Sequence, residues 1–416
     1  HREQLQSYPL YPYLVYADLA SNLRYSRRSE VSQYLEDYSG SIKARHLRNH
    51  WLNYLAKRQY WSTFTRFYAP QQASIKQQCQ FQLARYYADP GDPQLDKRRA
   101  QALSAALKLW NVGKSQPKQC DRLFNRLIAD NRITEALAWQ RFNKALINHQ
   151  YQLARYLQRF IKTPYYSQLA KLYYQADRSP ENIGQFQHFN NDSAEELLII
   201  QHALVHLARR DSHASLKYWS HYQQTHEFDD NARSAVVSAI IKGLYKQRAT
   251  TIADAYFADH LQLLNDSLDG SLVEWRIRLA LQDKDWPSVR LWLQRLPVEL
   301  QNSSAWRYWH IRSMQSDPLN TDKPELQKMT ESLAQERDFY GFLASDMLDK
   351  EYRLNHHPVA IDEQRLETIK ALPAMARARE LMFHQDSLAA NREWNQATAS
   401  FVYDDWLIAA IAAGQW

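Results

Sequence analysis

Ser193-Ala194-Glu195-Glu196-Leu197-Leu198-Ile199-Ile200-Gln201-His202-Ala203-Leu204-Val205-His206-Leu207 places its apolar residues at helical spacing. Leu197, Ile200, Leu204 and Leu207 fall on one helix face, and Ser193 with Glu196 three residues on is a capping-box signature for its start. Leu153, Tyr156, Leu157 and Phe160 repeat the stripe. Breaks come at short polar or proline-bearing stretches: Asp89-Pro90-Gly91-Asp92-Pro93, Thr163-Pro164 and Asp285-Trp286-Pro287. The pieces between them, roughly 12 to 20 residues long, are those of helix-turn-helix arrays. No strict sequence period appears, and neither the tetratricopeptide nor the ankyrin consensus is met, so the units are expected to be irregular.

Composition agrees with helix after helix. Only 8 of 416 residues are glycine, about 2% against roughly 7% in an average chain. Phosphate-cradling loops and tight hairpins draw heavily on glycine at positive φ, so sheets and nucleotide-binding turns are disfavoured. The 13 Trp, 26 Tyr and 14 Phe supply ample apolar surface for helix packing. At 416 residues the chain exceeds a single ordinary core, which implies several domains or an elongated repeat array. The stretch Ser316–Pro324 reads as a loop, and Asn355-His356-His357-Pro358 as a boundary before a small helical unit running to Trp416. The predicted fold class is all-α: a superhelix of irregular helix-turn-helix repeats followed by a small helical domain.

The net charge of +7, from 52 basic and 45 acidic residues dispersed along the sequence, suits an anionic partner without naming one. No apolar run approaches the roughly 18 residues of a membrane span. His1 is not an initiator methionine and no charged-then-apolar leader follows it, as expected of a processed or recombinant chain. The two cysteines, Cys79 and Cys120, form no closely spaced pair and cannot fill a zinc site alone. One disulfide of an exported protein is expected, two buried thiols being the alternative.

Candidate chemistry is sparse. Gly113-Lys114-Ser115 resembles the end of a phosphate loop, but position 108, where the loop's opening glycine belongs, is Lys108. His46 with His50, and His202 with His206, are spaced to face a metal from a helix. Leu47 and Ala203 stand where a zinc peptidase carries its glutamate, so both pairs read as helix-surface histidines and no metal is expected. Acid pairs such as Glu195-Glu196 carry no mark of an acid/base couple. No catalytic residue and no cofactor are predicted. The most pointed feature is Ala305-Trp306-Arg307-Tyr308-Trp309, in which Trp306, Tyr308 and Trp309 form either a stacking surface for sugar rings or part of the packing between helices. Tyr8-Pro9-Leu10-Tyr11-Pro12-Tyr13-Leu14 reads as an extended lead-in to the first helix.

These stretches resemble the large lytic murein transglycosylases of Gram-negative bacteria. The resemblance is carried by Tyr8–Leu14, by Trp110-Asn111-Val112-Gly113-Lys114-Ser115-Gln116-Pro117 leading into Cys120-Asp121-Arg122-Leu123-Phe124, and by Trp292-Leu293-Gln294-Arg295-Leu296-Pro297. It continues through Ala305–Trp309, Arg337-Asp338-Phe339-Tyr340-Gly341-Phe342-Leu343-Ala344 and Arg377-Ala378-Arg379-Glu380-Leu381-Met382, then Glu393-Trp394, in family order across nearly the whole chain. It implies a periplasmic protein with a superhelical U domain at 1–358, a helical linker L domain at 359–416 and a lysozyme-like domain that cleaves peptidoglycan to 1,6-anhydro ends. Implied partners are peptidoglycan glycan strands, the protein's own catalytic domain and other cell-wall enzymes, with no nucleic acid and no transmembrane segment.

The departure lies in the catalytic motifs. The family's Glu-Ser pair is followed by Gly-Leu-Met-Gln and later Ala-Tyr-Asn stretches, neither of which occurs here. Glu331-Ser332 runs instead into Leu333-Ala334-Gln335-Glu336 within a helical stretch and reads as coincidence. The expectation is that the catalytic domain is absent and that the chain threads, anchors or positions glycan. A helical-repeat scaffold for protein partners is the alternative. A basic RNA-binding repeat ranks third, because no regular period supports a per-base code.

Overall fold

The structure, a computed structural model, describes residues 3–87, 91, 93–265, 270–317, 322–356 and 361–416. The chain is all-α, about three quarters helical, with no strand among the described residues. Residues Asp89, Pro90 and Asp92, the middle of the Ser316–Pro324 loop, and His357-Pro358 with the expected boundary after residue 358 lie outside the described residues. The chain resolves into two compact units, one of residues 1–153 with 357–416, the other of residues 154–356.

In the second unit successive helices stack on one another. Helix Ala194–Ala208 packs against Pro164–Arg178, Ser212–Thr225 and Asp230–Lys246. Its buried residues include Glu196, Ile199, Ile200, Ala203, Leu204, Leu207 and Ala208, while Leu197 is only half-buried. The buried arc is wider than the single stripe read from sequence because several neighbours press on it. Ser193 caps the helix, its hydroxyl accepting from the Glu196 amide at 3.3 Å. Glu196, itself buried, turns to Asn191 and accepts from the backbone and side-chain amides at 2.9 Å each, so only half the predicted capping box forms. Close approach is explicit at Gly243, where an added Cβ would lie 2.1 Å from the Ala208 carbonyl oxygen.

The scarcity of glycine does not remove left-handed backbone. Lys284 (φ 55°), Arg248 (φ 61°) and Gln59 (φ 59°) adopt it just after helices. At Lys284 the amide reaches the Leu281 carbonyl and the next amide, of Asp285, reaches the Ala280 carbonyl, closing the last turn as a Schellman cap. Non-glycine residues bear this conformation at a cost of about 1–2 kcal/mol each, offset by the closed turn.

In the first unit, helices Tyr11–Ser21, Arg28–Asp37, Ile42–Arg58, Trp61–Phe67 and Ile75–Tyr86 pack in sequence around Val31, Leu47, Trp51, Leu55 and Phe64. Cys79, in Ile75–Tyr86, is bonded to Cys120, at the start of Asp121–Ala129. The last four helices, Glu363–Lys370, Pro373–Phe383, Ser387–Thr398 and Tyr403–Gly414, gather about Leu366, Met375, Ile408 and Ala412.

The bond closes a sequence separation of 41 residues. Replacing Cys79 and Cys120 by Ser is expected to lower stability by about 4 kcal/mol in the chain-entropy account. Denaturant unfolding of parent and variant, beside thiol titration of the denatured non-reduced parent, checks this; two titratable thiols in the parent would refute the bond.

Burial pushes the phenols of Tyr13, Tyr34, Tyr173, Tyr222 and Tyr245 up, and that of Tyr256 up to about 12. The folded state keeps protons that the unfolded chain releases near the ordinary tyrosine value of about 10. Stability is therefore expected to be full below about pH 10 and to fall as pH rises toward the folded values. Phenolate absorbance should show a class of tyrosines that ionises only as helicity is lost; a single titration of all tyrosines with helicity intact would contradict it.

Candidate functional site

Helix Ser304–Gln315, capped by Ser303, carries the three predicted rings and separates them. Trp306 is 6% exposed and its indole N–H donates to Glu274 at 3.0 Å, so this ring lies in the packing between helices. Tyr308 and Trp309 are half-buried and meet edge to face at 5.3 Å. Tyr308 also meets Tyr340 at 5.5 Å, and Tyr340 meets Phe339 at 5.2 Å. The exposed end of this run is Phe339, at 68%, the first residue of helix Phe339–Met347 behind its cap Asp338. Sequence reading passed over Phe339; its signal was a ring directly after a capping aspartate, where the first turn has few neighbours.

The first unit holds a cleft of about 670 Å³, lined by Tyr8, Pro9, Pro12, Tyr38, Arg377 and Gln396 among others. The family-like stretches near the two chain ends meet here. Glu393 is fully buried; one oxygen accepts from the Arg377 guanidinium at 2.9 Å and the other from the Tyr13 hydroxyl at 2.8 Å. Burial, then the Glu393 carboxylate, holds the Tyr13 phenol well above its ordinary value. Tyr8 donates to Glu380 at 2.7 Å, and Tyr34 donates to the Pro12 carbonyl at 2.8 Å. Arg377 and Glu393 satisfy each other, so the cleft offers hydroxyl and amide groups together with the exposed Asp37 carboxylate at its edge. Gln396 adds an enclosed Oε1 that has no hydrogen-bond donor.

The remaining motifs have local explanations. Gly113 sits where an added Cβ would be 2.3 Å from the Lys144 carbonyl oxygen, a packing reason for the glycine of Gly113-Lys114-Ser115. His46 and His50 both lie against the Tyr16 ring, at 6.5 and 6.4 Å, and burial lowers the His46 pKa. His202 is half-buried, with Nε2 2.8 Å from the buried Asp177 carboxylate and its ring stacked 4.8 Å from His206. His50 is exposed, as the surface reading expects, whereas His46, His202 and His206 are half-buried, because the helices that carry them are flanked on more than one side. Glu331, in helix Lys323–Leu333, accepts from Gln327 and pairs with Lys350 at 3.2 Å, both of which lower its pKa. A glycosidic general acid needs the opposite shift. No helix among the described residues is long and apolar enough to cross a membrane.

A soluble lytic murein transglycosylase of Salmonella typhimurium is 28% identical over 393 residues, covering 94% of this chain and 58% of the relative. The chain is homologous to the soluble lytic murein transglycosylases. It spans less than two thirds of that relative's length. The solved structure of an inactive variant of the lytic transglycosylase from Pseudomonas aeruginosa matches with TM-score 0.78 at 30% identity, covering 100% of this chain and 65% of that one. The 70-kDa soluble lytic transglycosylase of Escherichia coli shares the fold, with TM-score 0.79 at 23% identity, covering 100% of this chain and 67% of that one. No family model matches the sequence.

Removing the Glu393 carboxylate leaves a buried guanidinium and a half-buried phenol without their acceptor. Glu393→Ala is expected to cost about 3–5 kcal/mol, whereas Glu380→Ala, whose partner Tyr8 is only half-buried, should cost about 1 kcal/mol or less. Chemical denaturation of both variants checks the order; equal effects would mean that the buried pair does not hold these helices together.

Proposed function

We propose that these 416 residues act as the non-catalytic helical body of a periplasmic lytic transglycosylase, one that cleaves peptidoglycan between N-acetylmuramic acid and N-acetylglucosamine and leaves 1,6-anhydro ends. The observation that carries this is homology along 94% of the chain, which supports a peptidoglycan-related function. In this reading residues 1–358 form the U-like body and 359–416 the linker-like part, and their partners are glycan strands and the protein's own lysozyme-like domain. The body holds or positions glycan. Supporting this are the ring run ending at the exposed Phe339, the net charge of +7 against the carboxylates of stem peptides, and the lowered pKa of Glu331, which suits an ion pair and not proton delivery.

A second reading, a scaffold for protein partners, is favoured by exposed apolar side chains in the last helices: Phe383 at 79%, Tyr403 at 76% and Leu388 at 65%.

Purified chain is expected to be retained on sacculi and to release no anhydro-muropeptides. Phe339→Ala should weaken retention by about 1–3 kcal/mol, taking base stacking as the analogue, with thermal unfolding nearly unchanged. Failure of the parent to bind sacculi sinks the glycan-holding reading; release of anhydro-muropeptides that Glu331→Gln abolishes sinks the non-catalytic one.

A further inference from the structure

Two adjoining clefts in the first unit share Gln59 and Trp61. One, of about 450 Å³, is lined by Lys57, Lys76, Arg122, Asn53, Gln80 and Gln119 with those two. The other, of about 680 Å³, adds Tyr60, Phe81, Tyr87 and Arg85. Among the described residues no carboxylate lines either cleft. Lys57, Lys76 and Arg122 make no ion pair among the described residues, although each has water-accessible surface and stands near the others. Like charges gathered without counter-charge raise the local potential and favour an anion between them.

A separate observation points inward. Gln80 is 8% exposed, lines the smaller cleft, and its Oε1 has no hydrogen-bond donor. A buried acceptor left unpaired costs free energy that a ligand N–H or O–H recovers. The Cys79–Cys120 bond fixes this geometry, since Gln80 follows one cysteine and Gln119 precedes the other. The larger cleft supplies ring faces instead: Tyr60 is 37% exposed, and Arg126 anchors Tyr87 by donating to its hydroxyl at 2.8 Å.

We infer that the paired clefts bind a carboxylate-bearing amino-sugar ligand, with the carboxylate among Lys57, Lys76 and Arg122, an amide or hydroxyl hydrogen on Gln80, and a sugar face against Tyr60 and Trp61. The inference rests on the glycan-holding reading and adds to it a place and a ligand class. Cations alone would take any anion; rings alone would take any apolar face. Their junction at Trp61, beside an unpaired buried acceptor, selects a ligand that carries all three features a short distance apart. A muropeptide meets that description: its acetamido and hydroxyl groups donate, its sugar presents an apolar face, and its stem carries the carboxylate.

The test is calorimetry with a purified disaccharide–tetrapeptide muropeptide, the free tetrapeptide, the same muropeptide with its carboxylates amidated, and a neutral N-acetylglucosamine tetramer. The variants are Lys76→Gln/Arg122→Gln and Tyr60→Ala, each first shown to unfold like the parent. Binding of the charged muropeptide is expected to weaken at least about tenfold on amidation or in the double variant, and to weaken with salt. The free tetrapeptide should bind less tightly than the muropeptide, and Tyr60→Ala should remove that difference. No muropeptide binding by the parent, equal affinity in the double variant, equal affinity for the free tetrapeptide, or tighter binding of a single-stranded oligonucleotide overturns the site. If parent and double variant stay equally bound to sacculi while muropeptide affinity is unchanged, this site falls and the glycan-holding reading stands; loss of sacculus retention by the parent removes that reading itself.

Discussion

The long helices of this chain carry more apolar surface than one neighbour can cover, and the architecture within each unit follows from that constraint. Helix Ala194–Ala208 is buried from several sides, and Ile42–Arg58 buries Leu47, Trp51, Leu52 and Leu55 while touching the helices before and after it. An isolated helix pair would leave one of those faces wet. At about 25 cal/mol per Å² of apolar surface, exposing a tryptophan face costs about 3 kcal/mol, comparable to what one turn's hydrogen bonds return. The chain therefore adds helices largely in sequence, many of them covering a near predecessor, as repeat arrays do. Where helices press closest, small residues mark the contact: Gly243 against the Ala208 carbonyl and Gly113 against the Lys144 carbonyl.

The first unit departs from purely sequential stacking because residues separated by 380 positions meet at Tyr13 and Glu393. Burying Arg377 and Glu393 is close to neutral in energy when both are present and satisfied. Its value lies in what it forbids. Any other register of helix Pro373–Phe383 against Ser387–Thr398 leaves a charge buried without its partner. The Tyr13 hydroxyl, on the second carboxylate oxygen, extends that demand to the helix Tyr11–Ser21. A contact of modest net stability thereby specifies which of many apolar packings is adopted.

Fold class was legible in the sequence because helical periodicity is a local signal, and the stripe around Ile200 and Leu204 survives into the structure. Partner choice is not local. Nothing in Arg377 or Glu393, read alone, announces Tyr13. Glycine scarcity was a fair guide to helices yet a poor guide to backbone: Lys284 and Gln59 adopt the left-handed turn that glycine usually fills, because cap hydrogen bonds offset the strain. The ring cluster around Trp306 was visible as composition, but composition does not say which ring faces out. On a helix flanked by several others, Trp306 points into the packing and donates to Glu274, while the outward ring, Phe339, belongs to a different helix.

That contrast has a general cause. Mid-helix rings in a stacked array are covered by the preceding and following helices, whereas residues at helix starts and ends sit where the chain turns and neighbours diverge. Phe339 and Tyr403 open their helices, Phe383 closes one, and Tyr60 precedes Trp61–Phe67 directly after the left-handed Gln59. All four are exposed, while Trp51 and Trp219, within helices, are fully buried; Trp110, the last residue of helix Leu95–Trp110, is an exception and is buried too. Binding chemistry in such a scaffold therefore collects along the rows of turns, where a side chain can be both rigidly placed and solvent-facing. The cleft around Gln59, Trp61 and Gln80 follows the same rule, with one addition. Cys79–Cys120 ties helix Ile75–Tyr86 to the turn before Asp121–Ala129, so the groups beside it are held at fixed separation, and that rigidity lets a small cluster of cations and amides favour one ligand geometry over another.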